Sequence, residues 1–406
     1  MDGDAAVEPQ LDSFSLAFPL PYRVGFIVTL GVWGWGLNLH YLGLAKIDVA
    51  GLIGYAGRSS QQQGGAQAST YRLASLLSGL LGVSLTLFWL ATWRVPQRVV
   101  AYDWLPVTYL AAVVATMLVP LRSLPSRGRQ CFLATLRRIG LGGIAEAPEA
   151  RFRDILLADV LTSYAKVCGD VFVALCMFVR PGSSATQRPD RNCGGRIVVP
   201  LLMGLPSLMR LRQCLTDYVR VRRAPRNAST GWGGQHLANA LKYSTAFPVI
   251  LSSSLQRNLE SPEAKAAWYR AWLVAVVVNS LYSFYWDVTM DWSLTLLASK
   301  RLRNAPQHAW GLRQPLLFSP LSLYYTAVVV DLALRCTWSM KLSPHLDKFS
   351  DFESGIFLIE FLEVFRRWLW IFLRVETESI KKHCALDHDN ALVLLGDYHD
   401  RYEDEA

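Results

Sequence analysis

The sequence lacks the residue patterns on which many enzymes and ATP-driven pumps depend. It has no G-x-x-x-x-G-K-[ST] loop to cradle nucleotide phosphates, no H-E-x-x-H metal motif and no G-x-S-x-G nucleophile elbow. Its seven cysteines are scattered and include no C-x-x-C pair, so we expect free thiols packed within the fold. We therefore predict no enzyme activity, no metal and no cofactor.

Charged residues are scarce as well: they make up 18% of the 406 residues, whereas 52% are hydrophobic. Crossing a hydrocarbon core about 30 Å thick takes about 20 mostly apolar residues. Such stretches occur near 24–44, 72–93, 104–121, 155–180, 195–216, 237–257, 268–290, 318–341 and 354–374. The predicted fold class is all-α, a polytopic membrane protein with about nine transmembrane helices in a lipid bilayer.

The net charge of +9 does not indicate a nucleic-acid partner, because the basic residues are spread over separate loops. They concentrate after spans three, five and seven, which the positive-inside rule assigns to the cytosol. The N-terminus would then be lumenal or external and the C-terminus cytosolic. Segment 127–140 carries apolar residues at helical spacing among arginines, which predicts an amphipathic helix on the cytoplasmic membrane surface.

Ionisable residues also occur inside spans four to nine, where one charge costs about 2.5–3.5 kcal/mol on insertion scales. Helical spacing pairs Asp331 with Arg335, four residues later. It also brings Glu363 close to Arg366 and Arg367. One interpretation is that these are structural ion pairs that fix helix packing.

The other interpretation is an anion site, and it rests on an excess of cations. If Asp287 and Asp291 lie at a cytoplasmic edge, the basic residues within the spans outnumber the acids near them. These basic residues are Arg210, Lys242, Arg335, Arg366 and Arg367. The guanidinium fork suits tetrahedral oxyanions such as phosphate. A membrane enzyme with a metal held by Asp287 and Asp291 is a third alternative, disfavoured because no histidine ligands accompany them.

Two geometric expectations refine the anion site. Trp338 follows Arg335 by three residues and so shares its helix face, where an indole N–H can join the hydrogen-bond shell. Adjacent helical residues point about 100° apart, so Arg366 and Arg367 cannot face one path equally. We expect one of them to contact the anion while the other pairs with Glu363 or guards the route.

Five ordered motifs in these spans resemble the EXS domain. They are Leu208-Met-Arg210-Leu-Arg-Gln213-Cys214-Leu, Ala240-Leu-Lys242-Tyr243-Ser244, Tyr285-Trp286-Asp287-Val-Thr-Met-Asp291-Trp292, Asp331-Leu-Ala-Leu-Arg335-Cys-Thr-Trp338 and Glu363-Val-Phe-Arg366-Arg367-Trp. The resemblance covers roughly residues 150–378. The family includes plasma-membrane phosphate exporters, plant phosphate exporters and fungal Golgi proteins named for defective ER retention.

The resemblance implies a six-helix core that transports inorganic phosphate. The anion would be held by Arg210, Lys242, Tyr243, Arg335, Trp338, Arg366 and Arg367. The supporting or gating residues would be Asp159, Thr162, Arg223, Asp287, Asp291, Asp331 and Glu363. Arg223 would stand near the cytoplasmic mouth.

The chain begins almost at its first span, where the exporters carry an SPX domain, and this difference indicates the Golgi branch. The resemblance then implies phosphate return from the Golgi lumen to the cytosol, in support of glycosylation and of the retention of resident proteins. The alternative is a non-transporting sorting factor that retains glycosylation enzymes through cytosolic trafficking adaptors. The predicted segments are 1–22 (N-terminal), 23–121 (three-helix scaffold and homodimer contact), 122–150 (amphipathic linker), 151–378 (transport core) and 379–406 (cytosolic tail).

Overall fold

The computed structural model describes residues 13–55, 60–119, 126–223, 232–297, 310–342 and 353–403, and none of these residues forms a strand. The side chains of 60–63, 126, 340–342 and 385–403 lie outside the description. The first part of the chain forms α1 (Ser13–Ala17), α2 (Leu20–Leu44), α3 (Val49–Leu52), α4 (Ser60–Thr92), α5 (Pro96–Ala101), α6 (Trp104–Leu118) and α7 (Ser126–Gly140).

The second part begins with a pair of consecutive helices, α8 (Pro148–Ser163) and α9 (Ala165–Val179), followed by α10 (Val198–Arg223). A second pair comprises α11 (Gly234–Ser244) and α12 (Ala246–Asn258). Helix α13 (Pro262–Trp286) continues into a π-helical turn, Asp287–Asp291. The remaining elements are α14 (Ser322–Arg335), a 3₁₀ helix (Thr337–Leu342) and α15 (Glu353–Glu403).

The all-α membrane class is confirmed, whereas the number of crossings is not. Each predicted span falls on one helix or on two successive elements. By length and composition, Gly64–Thr92 and Pro262–Asp291 qualify as spans. The pair α8 and α9, bent by 61°, qualifies as a third if it is counted as one span. The other helices are shorter or more polar, as expected where charged faces are buried against neighbouring helices.

Three hydrophobic clusters join the helices around α2. One packs Tyr22 of α2 against Leu77 of α4 and Tyr109 of α6. A second cluster joins α2 to α9 and to Val364 of α15. The third surrounds Trp370 of α15 and includes residues of α2, α8 and α14. Helix α2 therefore connects the helices of the predicted scaffold to the helices that carry the buried charges.

Helix α15 continues without a break past residue 378, where the predicted core gives way to the predicted tail. Lys382, beyond that boundary, still donates to the Glu149 carboxylate of α8 at 3.3 Å. The first residues of segment 379–406 therefore remain packed against the bundle.

The expectation that all seven cysteines are free thiols is wrong for two of them. Cys176 in the last turn of α9 and Cys193 in the following loop form a disulfide, with their Cα atoms 6.1 Å apart. The loop turns back after α9 and brings Cys193 beside the helix end, although the two residues are 17 positions apart. A separation of this kind matches no short cysteine motif. The other five, Cys131, Cys168, Cys214, Cys336 and Cys384, are free.

Candidate functional site

A cavity of about 250 Å³ lies among α8, α10 to α15 and the 3₁₀ helix. We call it the central cavity. Its lining residues are Thr162, Ser207, Lys242, Tyr243, Ala246, Val276, Asn279, Ser280, Ser283, Leu334, Arg335, Thr337, Trp338, Glu363, Arg366 and Arg367. Six of the seven predicted anion-binding residues are in this set, although they come from three separate stretches of sequence.

Interrupted helices supply much of the lining. Thr162 lies beside the break between α8 and α9, and Lys242 and Tyr243 lie just before the break between α11 and α12. Arg335 ends α14, and Trp338 belongs to the 3₁₀ helix that follows. In membrane proteins, such irregular backbone is tolerated where it is buried in protein or lines a cavity. Broken helices also form the substrate sites of many transporters.

The charges around the central cavity form two layers, a wall that lines the cavity and a second layer behind that wall. Among the described lining residues, four are cations and one, Glu363, is a carboxylate. Four aspartates stand behind this wall, and we call them the carboxylate layer: Asp159, Asp287, Asp291 and Asp331. The wall therefore presents positive groups to the cavity, while the layer behind it compensates their charge.

The idea that Asp287 lies at an edge of the core is wrong. Asp287 is 0% exposed, and it accepts hydrogen bonds from Lys242 at 3.1 Å, from Arg335, and from Arg366 at 3.4 Å. The ammonium group of Lys242 also lies 3.5 Å from Asp291. The chain stays helical through the π turn and so carries both aspartates inward. The Lys242 ammonium group therefore bridges the two carboxylates.

The adjacent arginines differ in their partners. Arg366 donates to Glu363 at 2.6 and 3.0 Å and to Asp331 at 3.1 Å. Arg367 donates instead to two hydroxyls, Ser163 at 2.9 Å and Thr162 at 3.1 Å, and has no carboxylate oxygen within 4.0 Å in the described part of the chain. Arg366 is thus the member of the pair that Glu363 restrains, and Arg367 retains the less compensated charge.

Trp338 supplies a free donor at the cavity wall. Its indole Nε1 is buried and has no hydrogen-bond partner among the described residues. A buried donor without a partner costs about 1–3 kcal/mol, so such groups call for an explanation. A ligand in the central cavity that accepts this hydrogen bond would remove the cost.

Besides the four aspartates of the carboxylate layer, two predicted residues do not line the cavity. Arg210 is 3% exposed and lies behind Tyr243, with its guanidinium 4.7 Å from the ring centre. It donates to Asp159 and to Gln213, each at 2.6 Å, and the Tyr243 hydroxyl also donates to Asp159. Arg223 is exposed at the end of α10. At about 1.5 Å per residue it stands roughly 20 Å along the helix from Arg210.

Sequence reasoning missed the neutral wall of the cavity, which α10 and α13 supply. Ser207 comes from α10, and Asn279, Ser280 and Ser283 come from α13. Uncharged polar residues give only a weak signal in an apolar span. The spacing of the three α13 residues nevertheless indicates that they lie on one helix face, because residues three, four and seven positions apart share a face. That face leads on to Asp287.

These features define a helical membrane protein. Its helices pack around a buried cavity lined by cations, and several of them are interrupted beside that cavity. A family model described as the EXS family matches residues 18–380. The chain therefore belongs to the EXS family, as its motifs predicted.

Several relatives resemble this chain over much of its length. Protein ERD1 homolog 1 of Schizosaccharomyces pombe is 30% identical over 381 residues, which cover 93% of this chain and 95% of that protein. Protein ERD1 of Kluyveromyces lactis is 34% identical over 238 residues, covering 56% and 58%. Solute carrier family 53 member 1 of Mus pahari is 27% identical over 319 residues, covering 75% of this chain and 43% of that protein.

Proposed function

We propose that this protein is a transporter of inorganic phosphate and not an enzyme, acting as a uniporter or a channel-like pathway through the central cavity. The observation that carries this proposal is the wall of four cations. Within the described ranges, Arg367 has no carboxylate partner and the indole N–H of Trp338 has no acceptor. The relatives named as members of a solute carrier family support a carrier.

Phosphate fits the chemistry of this wall. The guanidinium groups of Arg335 and Arg367 line the cavity, and protein acceptors hold each of them through Nε and Nη2. The remaining N–H donors of these two groups can bind the oxygens of a tetrahedral oxyanion. The carboxylate layer keeps the binding moderate, because each cation it holds is partly neutralised. A transport site needs this balance: the ion must bind well enough to leave water and weakly enough to depart.

Two signals at opposite ends of α10 support the predicted orientation. The disulfide of Cys176 and Cys193 lies just before the helix begins, and disulfides persist in oxidising compartments such as the secretory lumen. Arg220, Arg222 and Arg223 lie at the other end, where the positive-inside rule expects the cytosol. We therefore propose that the loop with the disulfide is lumenal.

We further propose that the protein resides in the Golgi membrane and returns phosphate from the lumen to the cytosol. Relatives named ERD1 support placing it in this branch of the family. Glycosylation and the retention of resident proteins would then depend on phosphate removal. Truncation after Glu378 separates this role from adaptor binding: loss of retention with phosphate flux intact would show that the tail acts in sorting independently of transport.

The function is tested with purified protein in liposomes that contain labelled phosphate. We expect protein-dependent phosphate efflux in the wild type and its loss in Arg335→Ala. A matched control is Arg98→Ala, since this exposed arginine of α5 does not line the cavity. No flux with the wild type, or equal flux with Arg335→Ala, would contradict the proposal.

A further inference from the structure

Glu363 is unusual in the wall of the central cavity because it is an acid in a site otherwise built of donors. Among the described lining residues it is the one carboxylate. Its side chain is 37% exposed, whereas that of its partner Arg366 is 2% exposed. The Glu363 side chain is therefore partly open at the cavity, whereas the cation that restrains it is packed.

The hydrogen bonds of Glu363 leave one acceptor position open. An ionised carboxylate offers about four lone-pair positions on its two oxygens. Oε1 accepts from Ser163 at 2.7 Å and from Arg366 Nη2 at 2.6 Å, while Oε2 accepts from Arg366 Nε at 3.0 Å. The open acceptor position is therefore on Oε2. The three existing hydrogen bonds already fix the orientation of the carboxylate.

An acceptor at this place distinguishes between oxyanions of equal shape. At neutral pH inorganic phosphate and arsenate retain at least one proton on oxygen, whereas sulfate retains none. A protonated oxyanion can donate its O–H to Glu363, a charge-assisted hydrogen bond of the stronger kind. Sulfate has no hydrogen to donate, so it would place an unprotonated oxygen against the carboxylate.

We propose that Glu363 makes the site selective for protonated oxyanions by accepting the hydrogen bond of the bound phosphate, and so excludes sulfate. This inference rests on the proposed phosphate transport. It gives Glu363 a direct contact with the ligand, in addition to its restraint of Arg366. The cations then supply affinity for any oxyanion, and Glu363 supplies the discrimination.

The test compares labelled phosphate and labelled sulfate uptake into liposomes that contain the purified protein, with arsenate as a competitor. In the wild type, arsenate should compete with phosphate and sulfate should do so poorly. In Glu363→Gln the ratio of phosphate to sulfate uptake should fall at least about tenfold, because one charge-assisted hydrogen bond is lost and one repulsion is removed.

Asp331→Asn is the matched control, since Asp331 also accepts a hydrogen bond from Arg366, at 3.1 Å, but does not line the cavity. We expect it to lower both uptakes together and to leave their ratio unchanged. If Glu363→Gln does not fold, Glu363→Asp retains the charge but withdraws the carboxylate by one methylene, and we expect it to lower the ratio as well.

The possible outcomes separate the two proposals. Failure of the wild type to carry either phosphate or arsenate overturns the proposed function, and the selectivity inference with it. Phosphate transport with equal sulfate transport in the wild type overturns the inference alone. The inference is also overturned if the Glu363 variants retain the wild-type ratio, or if Asp331→Asn changes it as much as they do.

Discussion

Replacing Arg367 with alanine should abolish transport at low phosphate while the protein stays folded. Its guanidinium donates to two neutral hydroxyls, those of Ser163 and Thr162, and lies 4.6 Å from the centre of the Trp370 ring. Truncation therefore leaves no buried carboxylate without a partner. We expect these two hydrogen bonds to be lost, with a smaller fall in stability than in a variant that leaves a buried carboxylate unpaired.

The effect on transport should be much larger. If Arg367 donates two charge-assisted hydrogen bonds to phosphate, each worth about 1.5–3 kcal/mol, their loss weakens apparent affinity at least about 100-fold. Arg367→Lys keeps the positive charge but loses the planar fork, so it should recover part of the lost affinity. The assay is the phosphate dependence of flux in liposomes, with thermal unfolding measured on the same preparations.

Arg366→Ala provides the contrast within the same dipeptide. Its removal leaves Glu363 without its charged hydrogen-bond donor, whereas Asp331 keeps the one from Arg335 at 3.1 Å. Breaking a buried ion pair in this way costs about 3–5 kcal/mol. We expect Arg366→Ala to unfold at clearly lower temperature than Arg367→Ala. Wild-type flux in Arg367→Ala, or a loss of stability as large as that of Arg366→Ala, would refute this reasoning.

Three further predictions follow from single contacts. Trp338→Phe removes an indole N–H without a partner, so it should weaken apparent phosphate affinity about fivefold without loss of thermal stability; a lower melting temperature would contradict this. Replacing Cys176 and Cys193 with serine removes a disulfide between residues 17 positions apart. Calorimetry should then show a free energy of unfolding about 3 kcal/mol lower, and an unchanged value would argue against the disulfide. Asp159→Asn removes the charged partner of Arg210, so flux and melting temperature should fall together; a stable, fully active variant would show that the pair is dispensable.

The sequence alone selects the cations of the cavity because a charge inside an apolar span is conspicuous, whereas their role in binding an anion stays a prediction. Lys242, Arg335, Arg366 and Arg367 could be selected one by one, and all of them line the same cavity. Periodicity also predicted that the two adjacent arginines would differ. Which of them pairs with Glu363 depended on the neighbouring helix, because Ser163 of α8 accepts from Arg367 and donates to Glu363.

Features set by tertiary packing could not be predicted in the same way. Segment 155–180 contains no proline and its hydropathy shows no clear break. The sequence therefore gives little indication of the bend beside Tyr164. Asp287 lies near the end of an apolar stretch, and its depth depends on the π turn that follows. Whether Arg210 reaches the cavity depends on how α10 and α11 pack together. In the structure Tyr243 of α11 lies between Arg210 and the cavity.

The most direct test of the central claim is a density map of the protein in lipid nanodiscs at saturating phosphate. We predict a tetrahedral density in the central cavity, with oxygens within about 3 Å of the Arg367 guanidinium and the Trp338 Nε1 atom. A map of comparable quality without phosphate should lack it. An empty cavity in phosphate-loaded protein that transports phosphate, or an anion bound only elsewhere, would contradict the account.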